Sequence, residues 1–362
     1  MVLTSAGDSY VKSLLTQDFY LSNVMEMESQ LKENLIPRKG NPKNLSIVIP
    51  CYNEQEVLPK LHSGLLDTLD KLAIEFEVIL VDDGSKDATW RLLSELNKND
   101  SRFKALRLSR NYGHQIALTC GLDQAQGEVV VIMDADLQDP PEVIPQMLEK
   151  WREGYDVVYG KRMRRDGDSP SKRFFAFSFY RIMNLLTGMT IPRDTGDFRL
   201  MDKAALNAFR ELRERQRFIR GMVSWIGFNQ APVYYDRPKR AAGVTKYPFK
   251  KSFLLALDAI TSFSYAPLRL ASLLGFLLSL FAFLYIIVVI LLKFAGINFP
   301  GYTSLMATIL LLGGVQLVVL GVIGEYLGRI YEEVKGRPLY YISSSLGVVK
   351  KTTRKKTKKT EK

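Results

Sequence analysis

Cysteine is scarce: Cys51 and Cys120 are the only two in 362 residues. Their separation fits no metal or redox motif, which argues against a disulfide framework or a cysteine-built metal centre and leaves two reduced core residues. Two phosphate-binding loops are missing as well. No GxxxxGK[ST] occurs, which disfavours a P-loop NTPase, and no GxGxxG follows a strand-like run, which disfavours a dinucleotide dehydrogenase. Any phosphate handled by this chain must be neutralised by side chains or by a metal. Acid is in deficit, with 38 Asp and Glu against 50 Lys and Arg and a net charge of +12. Much of that excess is local. Residues 350–362, KKTTRKKTKKTEK, read as an arm for anionic headgroups, each charge contributing about 1 kcal/mol near the surface, so no nucleic-acid partner is expected.

What the chain does have is apolar sequence of membrane length. Leu270 to Leu292 carries no charge and as a helix spans roughly 35 Å, against a hydrocarbon core of about 30 Å. Leu305 to Leu327 is a second run, interrupted by Gln316 and Glu325. Basic residues precede the first run (Arg237, Lys239, Arg240, Lys246, Lys250, Lys251, Arg269) and follow the second (Arg329, Lys335, Arg337), while the loop from Lys293 to Ser304 carries only Lys293. The positive-inside bias therefore predicts a multi-pass protein of the inner (cell) membrane, with the soluble domain and both termini cytoplasmic. Gly313, Gly314, Gly321, Gly324 and Gly328 predict close helix packing and a homo-oligomer. Glu325 is read as a partner of Arg329, not as a transport group.

The soluble part is organised around VVVIMDADLQDPPE. Val129 to Met133 reads as a strand buried on both faces. Asp134 and Asp136 follow at once, and alternation along an extended backbone predicts that both carboxylates leave on the same side. Two converging carboxylates call for a cation between them, and hard oxygen ligands suit Mg²⁺ or Mn²⁺ bound together with substrate phosphates. Gln138 adds a neutral oxygen. The plainer reading of the same residues is a solvated acidic turn.

The surrounding pattern favours the site. Strands are predicted at Leu45 to Ile49, Val78 to Val81, Lys104 to Leu108 and Asp156 to Tyr159, with helices from about Glu56 to Leu72, up to Asn97 and up to Gln124, giving a doubly wound, mainly parallel α/β sheet. Ligands bind beyond the carboxyl ends of such strands. Those ends carry Pro50, Tyr52, Asn53 and Glu54, then Asp82 and Asp83, then Asp134, Ala135 and Asp136. Gly84 permits the turn after the second strand, and Ser85 or Asp87 can cap the helix that follows. Lys161, Arg162, Arg164 and Arg165 read as a basic turn, and Lys172 and Arg173 open an aromatic-rich helix. Gly196 is expected to place Asp197 in a turn, where it either faces the site or pairs with Arg199. His114 follows the turn after the third strand, within reach of a diphosphate there but not assigned to the site, and His62 reads as a surface or satisfied helix residue. Phe249 to Tyr265 is compatible with an interfacial amphipathic helix. Ser9 to Leu35 is compatible with a further amphipathic helix and carries no assigned function.

Taken in order, SIVIPCYNE, VDDGSKD, MDADLQDPPE, TGDFRL and RAAGVTKY, followed by two C-terminal spans, resemble the polyprenyl-phosphate glycosyltransferases, family 2 enzymes of the GT-A fold that include dolichol-phosphate mannose synthase. NYGHQ and GEYLGRIYEEVKGRP are shared with the bacterial bactoprenol glucosyltransferases of the GtrB type. The resemblance covers Leu45 to Ile342. It implies an N-terminal extension (1–44), a Rossmann-like GT-A domain (45–236), a basic loop with interfacial helices (237–268), a two-helix transmembrane hairpin (269–328) and a cytoplasmic basic tail (329–362). It also implies metal-dependent, inverting transfer of a hexose from a nucleotide-sugar, UDP-glucose by this resemblance, to a polyprenyl phosphate of the undecaprenyl type, in the setting of lipopolysaccharide modification. Pro50, Tyr52, Asn53, Glu54, Asp82, Asp83, Asp134, Ala135 and Asp136 would hold the nucleotide-sugar, and Asp134, Asp136 and Gln138 the Mg²⁺ or Mn²⁺. Asp136 and Asp197 would be catalytic, and Arg162, Arg173, Arg240 and Lys246 would meet the acceptor phosphate. A separate flippase would act on the product.

Three other readings stay open. The donor could be GDP-mannose or another nucleotide-sugar. A processive polysaccharide synthase would carry a QxxRW motif and more spans, neither of which occurs. A non-catalytic sensor or scaffold would be expected to have lost the metal-binding acids, and these are present.

Overall fold

The computed structural model of the chain describes residues 35–163, 195–236, 264, 266–294 and 301–348. Its first half alternates strand and helix as the apolar runs predict: β1 (Asn44–Cys51), α1 (Leu58–Leu69), β2 (Glu75–Asp82), α2 (Thr89–Asn99), β3 (Phe103–Leu108), α3 (His114–Gln124), β4 (Val129–Ile132), α4 (Ile144–Arg152) and β5 (Val157–Arg162). Strand β4 is buried along its whole length, because helices cover both faces of the sheet and leave no position for alternation. On one face Leu58, Leu61, Leu65 and Leu69 of α1 pack with Ile47, Ile49 and Leu80. On the other, Ala117, Leu118, Cys120 and Leu122 of α3 pack with Val48, Ile79 and Val81. Cys51 and Cys120 are both free and buried.

The second half departs from the expected pattern. It continues with β6 (Thr195–Asp202), α5 (Lys203–Glu211), α6 (Ile219–Trp225), β7 (Gln230–Tyr235), α7 (Ala266–Phe294), α8 (Tyr302–Val334) and β8 (Ile342–Leu346). The sheet runs β7-β5-β6-β4-β1-β2-β3-β8. Strands β4, β1, β2 and β3 are parallel. Strand β6 enters between β4 and β5 antiparallel to both, and β8 lies antiparallel on β3. The sheet is therefore mixed but still mainly parallel, as expected: β7, β5, β4, β1, β2 and β3 run one way, and β6 and β8 run against them. The unexpected antiparallel strand lies at TGDFRL. Gly196 suggests a turn there, but it is an extended strand residue whose missing Cβ makes room for Arg162, with Nη2 at 3.1 Å from the position a Cβ would take. Asp197 thus stands on a strand, and Lys161 and Arg162 end β5, not a basic turn.

Below the site, Glu77 ties three strands together. It accepts hydrogen bonds from Ser46 of β1, from Lys104 of β3 and from the Gln126 amide. Burial works to raise its carboxyl, but these three donors and the Lys104 charge hold it below the usual glutamate range. A depressed folded-state pKa contributes stability above the unfolded value and loses it as pH falls. Glu77→Gln is therefore expected to lower the melting temperature at pH 7, and the gap to wild type is expected to close as the melts are repeated below about pH 4.5.

Helices α7 and α8 contain the stretches Pro267–Tyr285 and Leu311–Val334, of mean hydropathy 1.9 and 1.7, each long and apolar enough to cross a membrane. Glu325 pairs with Arg329 at 2.8 Å, as the sequence suggested. Beyond α8 the chain returns to the sheet. The Ser109 amide donates to the Tyr341 carbonyl at 2.9 Å, Tyr340 Oη donates to Asp123 at 2.7 Å, and the Arg215 amide donates to Glu333 at 2.7 Å. These bonds and the β3–β8 pairing hold the end of the hairpin against the α/β domain. The amphipathic stretch up to Leu35, the aromatic-rich helix after Arg173, the interfacial helix up to Tyr265 and the basic tail from residue 349 fall outside the described residues, apart from Leu35 and Ser264.

Candidate functional site

The site lies beyond the carboxyl ends of β1, β2 and β4, where a parallel sheet exposes its loops. Pro50 sits within β1, and Tyr52, 36% exposed, faces outward just after it. Asn53 holds a left-handed backbone at φ 56°. It is fixed there because its amide donates to Ser85 Oγ and its side-chain oxygen accepts from the Lys86 amide, both at 2.9 Å. The Glu54 amide donates to Thr89 Oγ1 at 2.9 Å. Asp87 accepts from the Thr89 amide at 3.0 Å, so it, and not Ser85, supports the start of α2. Gly84, at φ +71°, lets this loop pass the Arg110 backbone, which would stand 2.7 Å from a Cβ.

Asp82 is fully buried. It accepts from the Ser85 amide at 2.8 Å and faces Arg107 Nε at 3.2 Å. Asp83 accepts from the Tyr112 and Gly113 amides at 2.7 and 2.8 Å. Burial raises its carboxyl in spite of those two bonds. Both acids hold the backbone of the loops beyond the strand ends.

Strand β4 stops at Ile132, and Asp134 and Asp136 lie in the turn that follows. Strand alternation therefore does not set their relation, which corrects that argument. The turn does so instead. Asp136 accepts from the Gln138 amide at 3.1 Å, and Leu137 takes a left-handed conformation at φ 57°. Ala135 between them is buried. Asp134 is pushed up to about 7 by burial, with the charges of Asp139, Asp197 and Asp136 adding to the rise and His114 opposing it. Its side chain remains 31% exposed, so solvent relieves part of that cost.

Asp197 is 5% exposed and held by three donors. Arg220 Nε lies at 2.9 Å from Oδ1, and Gln115 Nε2 and His114 Nε2 lie at 3.1 and 3.3 Å from Oδ2. Burial alone would raise the carboxyl, but Arg220 and His114 hold it well below the usual carboxylate range. His114 opens α3 and also stands 3.5 Å from Asp134. Burial works against its charged form, yet the hydrogen bond to Asp197 and the Asp134 charge push it up to about 9. At 38% side-chain exposure it is a cation at neutral pH that solvent still reaches.

Four residues of this cluster escape sequence reasoning. Asp139 is buried, accepts from Tyr235 Oη at 2.8 Å and lies in the field of Arg162. Its only signal is that it is the third acid of DADLQD. Gln115 has only its place at the end of NYGHQ, and Tyr235 and Arg220 give no signal, because their roles depend on β7 and α6 being brought to Asp139 and Asp197. Arg173, Arg240 and Lys246 lie outside the described residues.

The donor set fits a divalent cation of a particular kind. Among the described residues no three His, Cys, Asp or Glu side chains converge as a cage, so the protein offers no complete shell. Asp134 Oδ1 is buried without a hydrogen-bond partner. A hard cation bound by one or two carboxylates, and completed by water and substrate phosphates, suits that arrangement.

Comparison with known proteins agrees with the motif order. The Glycosyl transferase family 2 model matches residues 46–210 and the GtrB C-terminal hairpin model residues 266–330. The Bacillus subtilis uncharacterized glycosyltransferase YkcC is 48% identical over 84% of this chain and 95% of its own. The SfII prophage-derived bactoprenol glucosyl transferase of Shigella flexneri is 42% identical over 83% of this chain and 98% of its own. Glucosyl-3-phosphoglycerate synthase from Mycobacterium tuberculosis, solved with Mn²⁺, UDP and phosphoglyceric acid, is 16% identical with a TM-score of 0.41 over 60% of this chain and 76% of that one.

Proposed function

We propose, since the chain belongs to glycosyl transferase family 2 and carries the GtrB C-terminal hairpin, that it moves a hexose from UDP-glucose onto a polyprenyl phosphate at the cytoplasmic surface of the cell membrane. The protein is a membrane-associated glycosyltransferase with a mixed GT-A-like sheet. The observation that carries this proposal is the pairing of an acid-rich cluster at the strand ends with a membrane-length hairpin held to the edge of the same sheet. An acceptor whose tail cannot leave the bilayer needs that proximity. Basic residues flanking both spans support the cytoplasmic placement.

Asp134 and Asp136, with Gln138, would hold Mg²⁺ or Mn²⁺, which when bound would stabilise charge on the departing diphosphate. His114 adds a cation beside Asp134, and Arg162, the last residue of β5, would meet the acceptor phosphate. The acceptor needs no general base, because a phosphate monoester with a second pKa near 6 is already largely dianionic at cytosolic pH. Its oxygen forms the bond to the anomeric carbon as the bond to the diphosphate breaks, inverting that centre and releasing the nucleoside diphosphate. Asp197, held anionic by Arg220 and His114, is a poor proton acceptor. It is suited to orienting sugar hydroxyls and stabilising positive charge at the anomeric carbon.

The test incubates purified protein with Mn²⁺, a polyprenyl phosphate and radiolabelled UDP-glucose, with GDP-mannose and UDP-N-acetylhexosamines in parallel, and measures label extracted into organic solvent. Lipid-dependent label from UDP-glucose is expected. Label from another donor alone would reassign the sugar, and no label from any donor would reject the reaction.

A further inference from the structure

We infer that Gln115 is a positioning residue for Asp197, fixing the carboxylate relative to helix α6; this rests on the reaction proposed above. The geometry is a bridge made by one amide. Gln115 Nε2 donates to Asp197 Oδ2 at 3.1 Å while its Oε1 accepts from the Ile219 amide at 2.9 Å. Ile219 is the first residue of α6, where backbone N–H groups lack partners within the helix. The residue before it is Phe218, which has no polar side chain to cap with. Gln115, reaching across from α3, supplies the missing acceptor. One residue on, Arg220 of α6 donates to Asp197 Oδ1 at 2.9 Å. The same short helix is thus joined to both oxygens of one carboxylate, directly through Arg220 and indirectly through Gln115.

The three donors to Asp197 are not equivalent. His114 is shared with Asp134, so its place depends on what Asp134 binds. Arg220 supplies charge through a long side chain. Gln115 alone is neutral and has its other end fixed to backbone, so it serves as the fixed reference for the orientation of Asp197. Only a side chain with both a donor and an acceptor can do this. Leucine offers neither, and an ionised glutamate offers acceptors to a site that already holds an anion.

Two substitutions in the full-length protein test the assignment. Gln115→Leu is expected to lower kcat by about 10- to 100-fold while KM for UDP-glucose changes less than about threefold, since a small misplacement of a reacting group is costly. Hydrogen exchange at the Ile219 amide should accelerate at least about tenfold. Gln115→Glu keeps the shape and places a second carboxylate against Asp197, between His114 and Arg220. Protonating it restores the donor, so its activity relative to wild type should climb as pH falls from about 8 to about 6. Wild-type kcat in Gln115→Leu, or a pH-independent deficit in Gln115→Glu, would overturn the assignment. If wild type itself turns over no donor, the proposed reaction fails separately. Ile219 exchange then decides the bridge: faster exchange in Gln115→Leu upholds it and unchanged exchange rejects it.

Discussion

Asp197→Asn is expected to cut kcat by about 10²- to 10³-fold, the scale found when a preorganised electrostatic group is removed from a transition state, with UDP-glucose affinity within about threefold of wild type. The substitution is nearly isosteric, but it replaces an anion with a neutral amide among Arg220, His114 and Gln115. Two consequences follow. The amide must turn an NH₂ toward one of those donors, so one bond of the clamp becomes a repulsion. The site also loses the negative charge that would face positive charge growing at the anomeric carbon. The remaining activity is expected to keep the wild-type pH profile, because Asp197 lies well below the carboxylate range and does not titrate near neutrality. Steady-state kinetics across pH and nucleotide binding by calorimetry check this. Intact donor affinity together with a loss that follows ionisation of the acceptor phosphate would instead assign Asp197 as the proton acceptor.

How far the sequence carried this reading depended on whether each signal was local. Val129 to Ile132 and Ile47 to Ile49 are continuous apolar runs, and a run buried on both faces can be read without knowing its neighbours. The turn after β2 was legible for the same reason, since Gly84 takes its positive φ on its own and Asp82 accepts from the Ser85 amide three residues on, whereas the bonds from Asn53 to Ser85 and Lys86 that fix the turn after β1 span 32 and 33 residues. Strand β6 was not. Gly196 is ambiguous until Arg162 is known to pass over it, and the acid two residues before Arg199 looks like an ordinary turn residue until α3 and α6 are placed around it. Strand β8 follows a membrane helix, where sequence reads naturally as tail, and its partner β3 is more than 230 residues earlier in the chain. Asp139 shows the same limit. Its hydroxyl donor, Tyr235, is 96 residues away.

Asp136→Ala and Asp134→Asn are expected to abolish turnover, to below about 1% of the wild-type rate if the cation supplies several kcal/mol of charge stabilisation, and to weaken Mn²⁺ binding followed by electron paramagnetic resonance with UDP present. Chelation should remove wild-type activity and Mn²⁺ restore it, with no restoration in either variant. Their effects on stability should differ. Asp134 is raised to about 7 by burial and by three neighbouring carboxylates, and a carboxyl raised above its unfolded value opposes folding once pH exceeds that unfolded value, increasingly up to the folded one. At pH 8 without metal, Asp134→Asn removes one charge from that cluster and is expected to raise the melting temperature while it removes activity. No such gain is expected for Asp136→Ala, which also deletes the acceptor of the Gln138 amide and with it a bond that holds the turn. Added Mn²⁺ and UDP should stabilise wild type and leave Asp134→Asn nearly unchanged, so the order of the two melting temperatures should reverse. A stabilising loss of function of this kind is the mark of acids held together for a ligand. If Asp134→Asn melted below wild type in the absence of metal, the acids would instead be stabilising the turn by themselves, and the case for a cation between them would rest on the activity data alone.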